Sequence, residues 1–306
     1  MHFLKCAIPV ALRGVREMSG DPDGFEAWLR DRVPERGLRP KGAAVLEVLL
    51  TQPRRASYAS AAEAAELAGV NVATVSRTAQ ALGFTGWVDL QQELRARYLS
   101  SLSAPEVAAA HRTEGELGAA SLRRDLESMA VLSRRLDDGL VRTIAEAIAA
   151  ARRTLIVANG SYVAVGSALG HNVGLAGYQA SVVRDDADLA NSVSRLEPGD
   201  VLVAISFWRL YQSTVTAAEE ASSRGARVFV LTDAASPALV EAAEQVVLIP
   251  AEGVAFFPSL APGMAVAQAI VAHLSTVDPE RTRRSIEAAE AQWARFGLLH
   301  RRPRRG

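Results

Sequence analysis

SAAEAAELAGVNVATVSRTAQALGFTGW, residues 60–87, contains two short helical patterns that meet at a tight turn. In the first, Ala62, Ala65 and Leu67 form a small apolar face. Gly69 follows, the residue type best able to take the left-handed conformation that ends a helix. Val70 supplies the apolar turn residue that a helix-turn-helix needs, and Asn71 has a side-chain oxygen to cap the next helix. That helix, about Val72 to Leu82, is expected to bury Val72, Val75, Ala79 and Leu82 at helical spacing. Its outward face then carries Thr74, Ser76, Arg77 and Gln80, with Asn71 at its start. Short hydroxyls, an arginine and an amide are the groups that contact phosphates and base edges in a major groove. A helical hairpin on any globular surface shares this backbone pattern, so the case for DNA needs the residues that follow.

The chain continues LGFTGWVDLQQEL over residues 82–94. This segment resembles the one that closes the N-terminal domain of the RpiR/MurR family of bacterial transcriptional regulators. In that family the recognition helix runs into a turn of the form LGF-x-G-[FY]-x-[DE]-[LF] and a further helix. Leu82, Gly83, Phe84, Gly86, Trp87, Asp89 and Leu90 follow that order, and Thr74-Val75-Ser76-Arg77 follows the family's T-V-x-R. The local physics agrees: Gly83 ends one helix, Phe84 and Trp87 fill a core, and Asp89 lies near the start of the next helix. The resemblance implies a double-stranded DNA operator as partner.

Composition bounds the rest. A chain of 306 residues, 49% hydrophobic, suggests two domains with ample cores. The single cysteine, Cys6, can make no internal disulfide, which fits a reducing cytoplasm. No apolar run approaches the ~18 residues of a membrane helix, so no membrane partner is expected. Phe3 to Leu12 looks faintly like a signal peptide, but Lys5 interrupts it. Residues 1–24 are expected to be a disordered extension, with Met18 a candidate true start. Net charge is zero but unevenly spread: 13 basic and 11 acidic side chains in residues 1–100, 13 and 21 in 101–280, and 8 and 2 in 281–306. The acidic middle is a poor nucleic-acid surface, so DNA contact should be local to the N-terminal part. There Lys41, Arg54 and Arg55 flank the first helix within reach of phosphates. Arg301, Arg302, Arg304 and Arg305 form a basic tail, read as solvated chain or as an aid to non-specific DNA binding.

Residues 25–100 read as an all-α domain with helices at Phe25–Arg32, Lys41–Leu50, the pair above and Val88–Leu99. Residues 101–120, small, polar and broken by Pro105, read as a linker, before a helix near Leu117–Arg135. From Leu140 the pattern alternates helix and strand, with apolar runs such as VLVAI and VFVL that mark parallel strands buried on both faces. Residues 121–278 are therefore expected to be a doubly wound α/β domain and 279–306 a basic C-terminal helix and tail. The fold class is α/β, an all-α helix-turn-helix domain followed by a doubly wound parallel sheet. The order of turns, together with Arg224-Gly225-Ala226, Leu231-Thr232-Asp233 and Ser236-Pro237, resembles the sugar isomerase (SIS) domain. That phosphosugar-binding fold is the C-terminal half of RpiR/MurR regulators. Pro262–Leu274, apolar nearly all round, should pack one side on the sheet and another on a partner subunit, giving a homodimer or homotetramer.

Ligands of such sheets bind at the carboxyl ends of strands, where helix N-termini attract anions. Two ends carry suitable chemistry: Asn159-Gly160-Ser161-Tyr162, and Ser206-Phe207-Trp208-Arg209 running to Ser213-Thr214. The resemblance implies a first loop G-x-S-x-x-x-A, where Tyr162 takes the serine's place and Gly166 the alanine's, with Ser161 one residue early. It implies a second loop S-x-S-G-x-T, of which only Ser206 survives. Arg209 can replace the lost cradle by offering a charged fork to an anion, while Trp208 and Tyr162 can stack on a ring. Effector candidates are thus Ser161, Tyr162, Ser206, Trp208, Arg209, Ser213 and Thr214 for a small, anionic, sugar-phosphate-like ligand. A degenerate, ligand-blind domain used only for oligomerisation is the alternative. A sugar-phosphate isomerase is a third reading, but His171 lies far along its helix from the loop, and Glu219 and Glu220 are similarly deep. His111, His273 and His300 are isolated, so neither metal, cofactor nor catalysis is expected.

Overall fold

The computed structural model describes residues 24–102, 104–110 and 115–300. The extension with Cys6 and Met18, His111 and the arginines from Arg301 to Arg305 lie outside them. The chain divides into two compact units, residues 1–90 and 91–306.

The first unit is helical: α1 (Phe25–Arg30), α2 (Pro40–Thr51), α3 (Pro53–Tyr58), α4 (Ala61–Leu67), α5 (Val72–Ala81) and the start of α6 (Trp87–Ser101). Prolines stand in the first turns of α2 and α3, where a missing N–H costs nothing. α3 is a helix the sequence reading passes over; Arg54 and Arg55 lie on it rather than in a loop. Leu29, Val45, Leu49, Val75, Ala79, Leu82 and Leu90 are fully or almost fully buried and form the core. Trp87 joins it and satisfies its indole N–H on the Ala59 carbonyl at 2.9 Å.

The second unit opens with the rest of α6, then α7 (Ala104–Ala110), α8 (Leu117–Arg135) and α9 (Asp138–Ala150). α7 corrects the expectation of a featureless linker: Pro105 sits in its first turn instead of breaking it. Five parallel strands follow among the described residues: β1 (Thr154–Ala158), β2 (Ala180–Val183), β3 (Val201–Ser206), β4 (Arg227–Thr232) and β5 (Gln245–Leu248), in the order β2-β1-β3-β4-β5. Helices α10 (Val163–Leu175), α11 (Asp186–Val193), α12 (Gln212–Ser223), α13 (Pro237–Ala242), α14 (Ala261–Val277) and α15 (Pro279–Phe296) complete the unit.

Strand parity explains the unbroken apolar runs. Ile156, Val203 and Phe229 pack with α9, α10 and α14 on one face, whereas Leu155, Leu202 and Val228 pack with α11, α12 and α13 on the other. Both faces are covered, so β1 and β3 are buried at every residue. α14 is packed by more of its own chain than the sheet alone. Its second side is met by α8 and α9 of its own chain, and Met264 and Val271 pack into the same core. Met264, Ala265, Ala269 and Val271 nevertheless stay half-buried, so part of the apolar surface of α14 remains open.

Candidate DNA-recognition helix and strand-end site

α4 and α5 form the helix-turn-helix. Ser60 and Glu63 close a capping box at the start of α4, and the Ser60 N–H and hydroxyl hold the Glu63 carboxyl below the usual carboxylate range. Gly69, at φ 62, ends it as expected: the Val70 N–H reaches back to the Ala65 carbonyl at 2.9 Å. Asn71 caps α5, its Oδ1 accepting from the Thr74 N–H at 2.8 Å. The buried face of α4 is Ala64 and Ala65, and Ala62 is exposed.

On α5 the division between inside and outside differs at two residues. Val72, expected inside, is 46% exposed because it opens the helix ahead of the first core turn. Thr74, expected outside, is buried, and its hydroxyl donates to Asn71 Oδ1 at 2.9 Å. Thr74 completes the cap; it is not on the outer surface. The outward face carries Asn71, Val72, Ala73, Arg77 and Gln80, with Ser76 half-buried. The Gln80 amide lies 3.5 Å from the Thr85 carbonyl. Lys41, Arg54 and Arg55 are exposed on α2 and α3.

The second site lies where the strand order reverses, between β1 and β3, the usual place for a ligand in an open parallel sheet. After β1 the chain makes a 3₁₀ turn, Gly160–Tyr162, with Gly160 at φ 59. A Cβ on Gly160 would lie 3.4 Å from the Tyr211 hydroxyl, so the two strand-end loops approach each other here. The Asn159 amide donates to Thr214 Oγ1 at 2.8 Å, pinning the first loop to the start of α12. α12 has no side-chain cap on its first N–H groups.

The candidate residues fall into two groups. Ser161 and Arg209 are exposed and Ser213 is half-buried on the rim. The others are structural. Tyr162 is buried, stacks on Phe207 at 4.0 Å and 16°, and donates to the Ser259 carbonyl at 2.7 Å, so it is not free to stack on a ligand. Burial also keeps its phenol protonated. Thr214 is fully buried beneath Asn159. Ser206 is buried, with its hydroxyl 3.4 Å from the Arg209 carbonyl.

Trp208 is half-buried and takes φ 60, the one non-glycine in the left-handed region among the described residues. The Arg209 N–H bonds the Phe207 carbonyl across it at 2.6 Å. The turn is held by Asp233, a residue that the sequence reading used only as a motif match. Both Asp233 oxygens accept from the Trp208 N–H at 3.0 Å. Asp233 is half-buried as a residue, its carboxyl being the enclosed part; loss of solvent pushes that group up to about 7, against the pull of the Trp208 N–H. The end of α6 closes over the same loops. Trp208 Nε1 donates to the Leu99 carbonyl at 3.2 Å and Arg209 to the Leu102 carbonyl at 3.3 Å. Arg97 donates to the Ala235 carbonyl, and Arg95 pairs with Glu252.

His171 is exposed on α10, and His273 on α14 pairs with Asp138 at the start of α9 at 2.7 Å. Among the described residues no group of three or more His, Cys, Asp or Glu side chains is placed to hold a metal ion. No described helix is long and apolar enough to cross a membrane.

Comparison with known proteins bears on both units. Residues 32–101 match the family model described as a helix-turn-helix domain of the rpiR family, and residues 147–278 match that of the SIS domain. A curated relative, the uncharacterized HTH-type transcriptional regulator YfhH of Escherichia coli (strain K12), is 27% identical over 210 residues, covering 67% of this chain and 74% of its own. Among solved structures, the Vibrio vulnificus NanR protein complexed with ManNAc-6P is similar at TM-score 0.57 and 20% identity, over 90% of this chain and 99% of that one. The sugar isomerase domain of an RpiR transcription factor from Sphaerobacter thermophilus is similar at TM-score 0.56 and 24% identity, over 58% of this chain and 99% of that one.

Proposed function

We propose that the chain, whose two parts match a helix-turn-helix domain of the rpiR family and a SIS domain, is a transcriptional regulator in which α5 reads operator DNA under the control of a small anionic effector held at the SIS strand ends. The observation that carries the DNA half is the outward face of α5, where Arg77 and Gln80 stand exposed beside a helix start built from Asn71 and Thr74. Exposed Lys41, Arg54 and Arg55 supply phosphate contacts. A symmetric cytoplasmic homo-oligomer then reads two half-sites.

For the effector, support comes from the exposed Arg209 guanidinium and the uncapped start of α12 beside it, with Ser161 and Ser213 on the rim. NanR, whose fold is shared, is complexed with ManNAc-6P, which favours a sugar phosphate as the class. No catalysis is assigned: Asp233, the acid at the carboxyl end of β4, is committed to the Trp208 N–H. Sequencing DNA retained by the full-length protein, followed by gel shift with a panel of sugar phosphates, tests both halves. A recovered palindromic site whose retention changes with one phosphate supports the proposal. No enriched site overturns the DNA half, and retention unchanged by every compound overturns the effector half.

A ligand-blind SIS domain is the second reading. The Tyr162–Phe207 stack and the Asp233 carboxylate on the Trp208 N–H favour it, because both fill space a ligand would need. A thermal shift with any sugar phosphate or carboxylate would exclude it.

A further inference from the structure

At the carboxyl ends of β3 and β4 the protein holds an anion of its own. The Asp233 carboxylate takes the Trp208 N–H on both oxygens at 3.0 Å, and the neighbouring N–H groups of Asp233 and Ala234 favour its charged form. A carboxylate resting on converging main-chain N–H groups is the arrangement in which such turns bind phosphate. The turn it closes is one that a side-chain-bearing residue rarely adopts, with Trp208 at φ 60. The same two residues grip the end of α6, through Trp208 Nε1 on the Leu99 carbonyl and Arg209 on the Leu102 carbonyl. The Arg209 guanidinium lies 4.8 Å over the Trp208 ring, and Phe256 meets that ring edge-on at 4.8 Å. Anion nest, strained turn and helix end therefore form one connected piece.

We propose that Asp233 is an internal counter-anion seated in the loop's N–H nest, and that Trp208 is the latch joining that nest to the end of α6. An incoming phosphate competes with Asp233 for the Trp208 N–H. With Asp233 displaced, the tie from the end of β4 to the Trp208 N–H is lost, and the turn can readjust around the anion. Trp208 Nε1 and Arg209 then leave the Leu99 and Leu102 carbonyls. The released segment belongs to the helix that runs on from Trp87 in the first unit, so the displaced contact lies on the chain that leads to the DNA-reading helices. Asp233 also sets a threshold, since a weakly charged ligand displaces a carboxylate poorly. This inference rests on the reading of an anionic effector at the strand ends and names the group that effector displaces.

The test uses the full-length protein as wild type, Asp233→Asn and Trp208→Phe. Inorganic phosphate and ManNAc-6P are titrated by calorimetry, and hydrogen exchange is followed across residues 95–102. Asparagine keeps the shape and the acceptor for the Trp208 N–H but removes the competing charge, so Asp233→Asn should bind the probes at least tenfold more tightly than wild type. Trp208→Phe removes only the indole donor, so exchange across residues 95–102 should rise without any probe. In the wild type, ManNAc-6P should raise exchange in the same stretch. Binding by wild type that Asp233→Asn does not tighten overturns the counter-anion alone. Exchange in Trp208→Phe equal to wild type overturns the latch. No binding of either probe to either protein overturns this inference together with the effector reading beneath it.

Discussion

Arg77 and Thr74 show how three residues of spacing separate an exposed group from a buried, supporting one. Arg77 projects from the outward face of α5, so Arg77→Ala should weaken operator binding by about 1–3 kcal/mol if it reads a guanine edge. If it meets only phosphate, the loss should be uniform across sequences and the salt dependence should flatten; unchanged gel-shift affinity would remove α5 from the recognition role. Thr74→Val should instead cost stability, about 1 kcal/mol for the lost buried hydroxyl bond to Asn71, and leave the preferred DNA sequence unchanged. Thermal melts and binding-site selection on the same variant check the two halves. Asp233 gives a pH prediction. Its carboxyl sits near 7 in the folded chain, above its value in an unfolded one, so the folded state binds the extra proton between those values. Stability contributed by that proton is present at low pH and lost as pH rises through about 7. Melting temperatures should therefore fall less steeply from pH 5 to 8 in Asp233→Asn than in wild type, and parallel curves would refute the assignment.

The elements divide by how local their causes are. α5 is set by neighbours in sequence: a left-handed Gly69, the Asn71 cap and a Val75–Ala79–Leu82 face. Asn71→Ala should destabilise the first unit by about 1 kcal/mol, read as a lower melting temperature, because two N3 contacts to one oxygen disappear together. A melting curve identical to wild type would show the cap to be redundant. α3 and α7 were missed for the opposite reason. Each is short and begins with a proline in its first turn, and a proline inside a polar stretch reads as a breaker until packing shows which turn it occupies. The α14 surface was legible as apolar but not as to what covers it, since α8 and α9 are distant in sequence and adjacent only in the fold.

At the scale of the whole molecule the regulator reading calls for two-fold assembly. Light scattering at micromolar concentration should return a multiple of the 32.6 kDa chain, and the recovered operator should show half-sites about one or two helical turns apart. A monomer under those conditions would sink the symmetric mechanism. Among the described residues Phe296 on α15, Phe257, and Leu126 and Leu122 on α8 are the most exposed large apolar groups, at 75%, 72%, 69% and 67%.

Local order in the chain was enough to determine the two-unit plan, the helix-turn-helix with its caps, and a doubly wound sheet whose strands are buried on both faces. These follow from periodicity and turn chemistry, which act between residues a few positions apart. The two strand-end loops were also legible as the ends that meet where the sheet order reverses. What only the tertiary structure decided is the role of each residue within them. Tyr162 turned inward onto Phe207, Thr214 was taken by Asn159, and Trp208 was fixed by an aspartate 25 residues on and by a carbonyl 109 residues back. Such contacts join segments that pattern reading treats separately, and a hydroxyl or ring has the same letter whether it faces a ligand or a neighbouring strand.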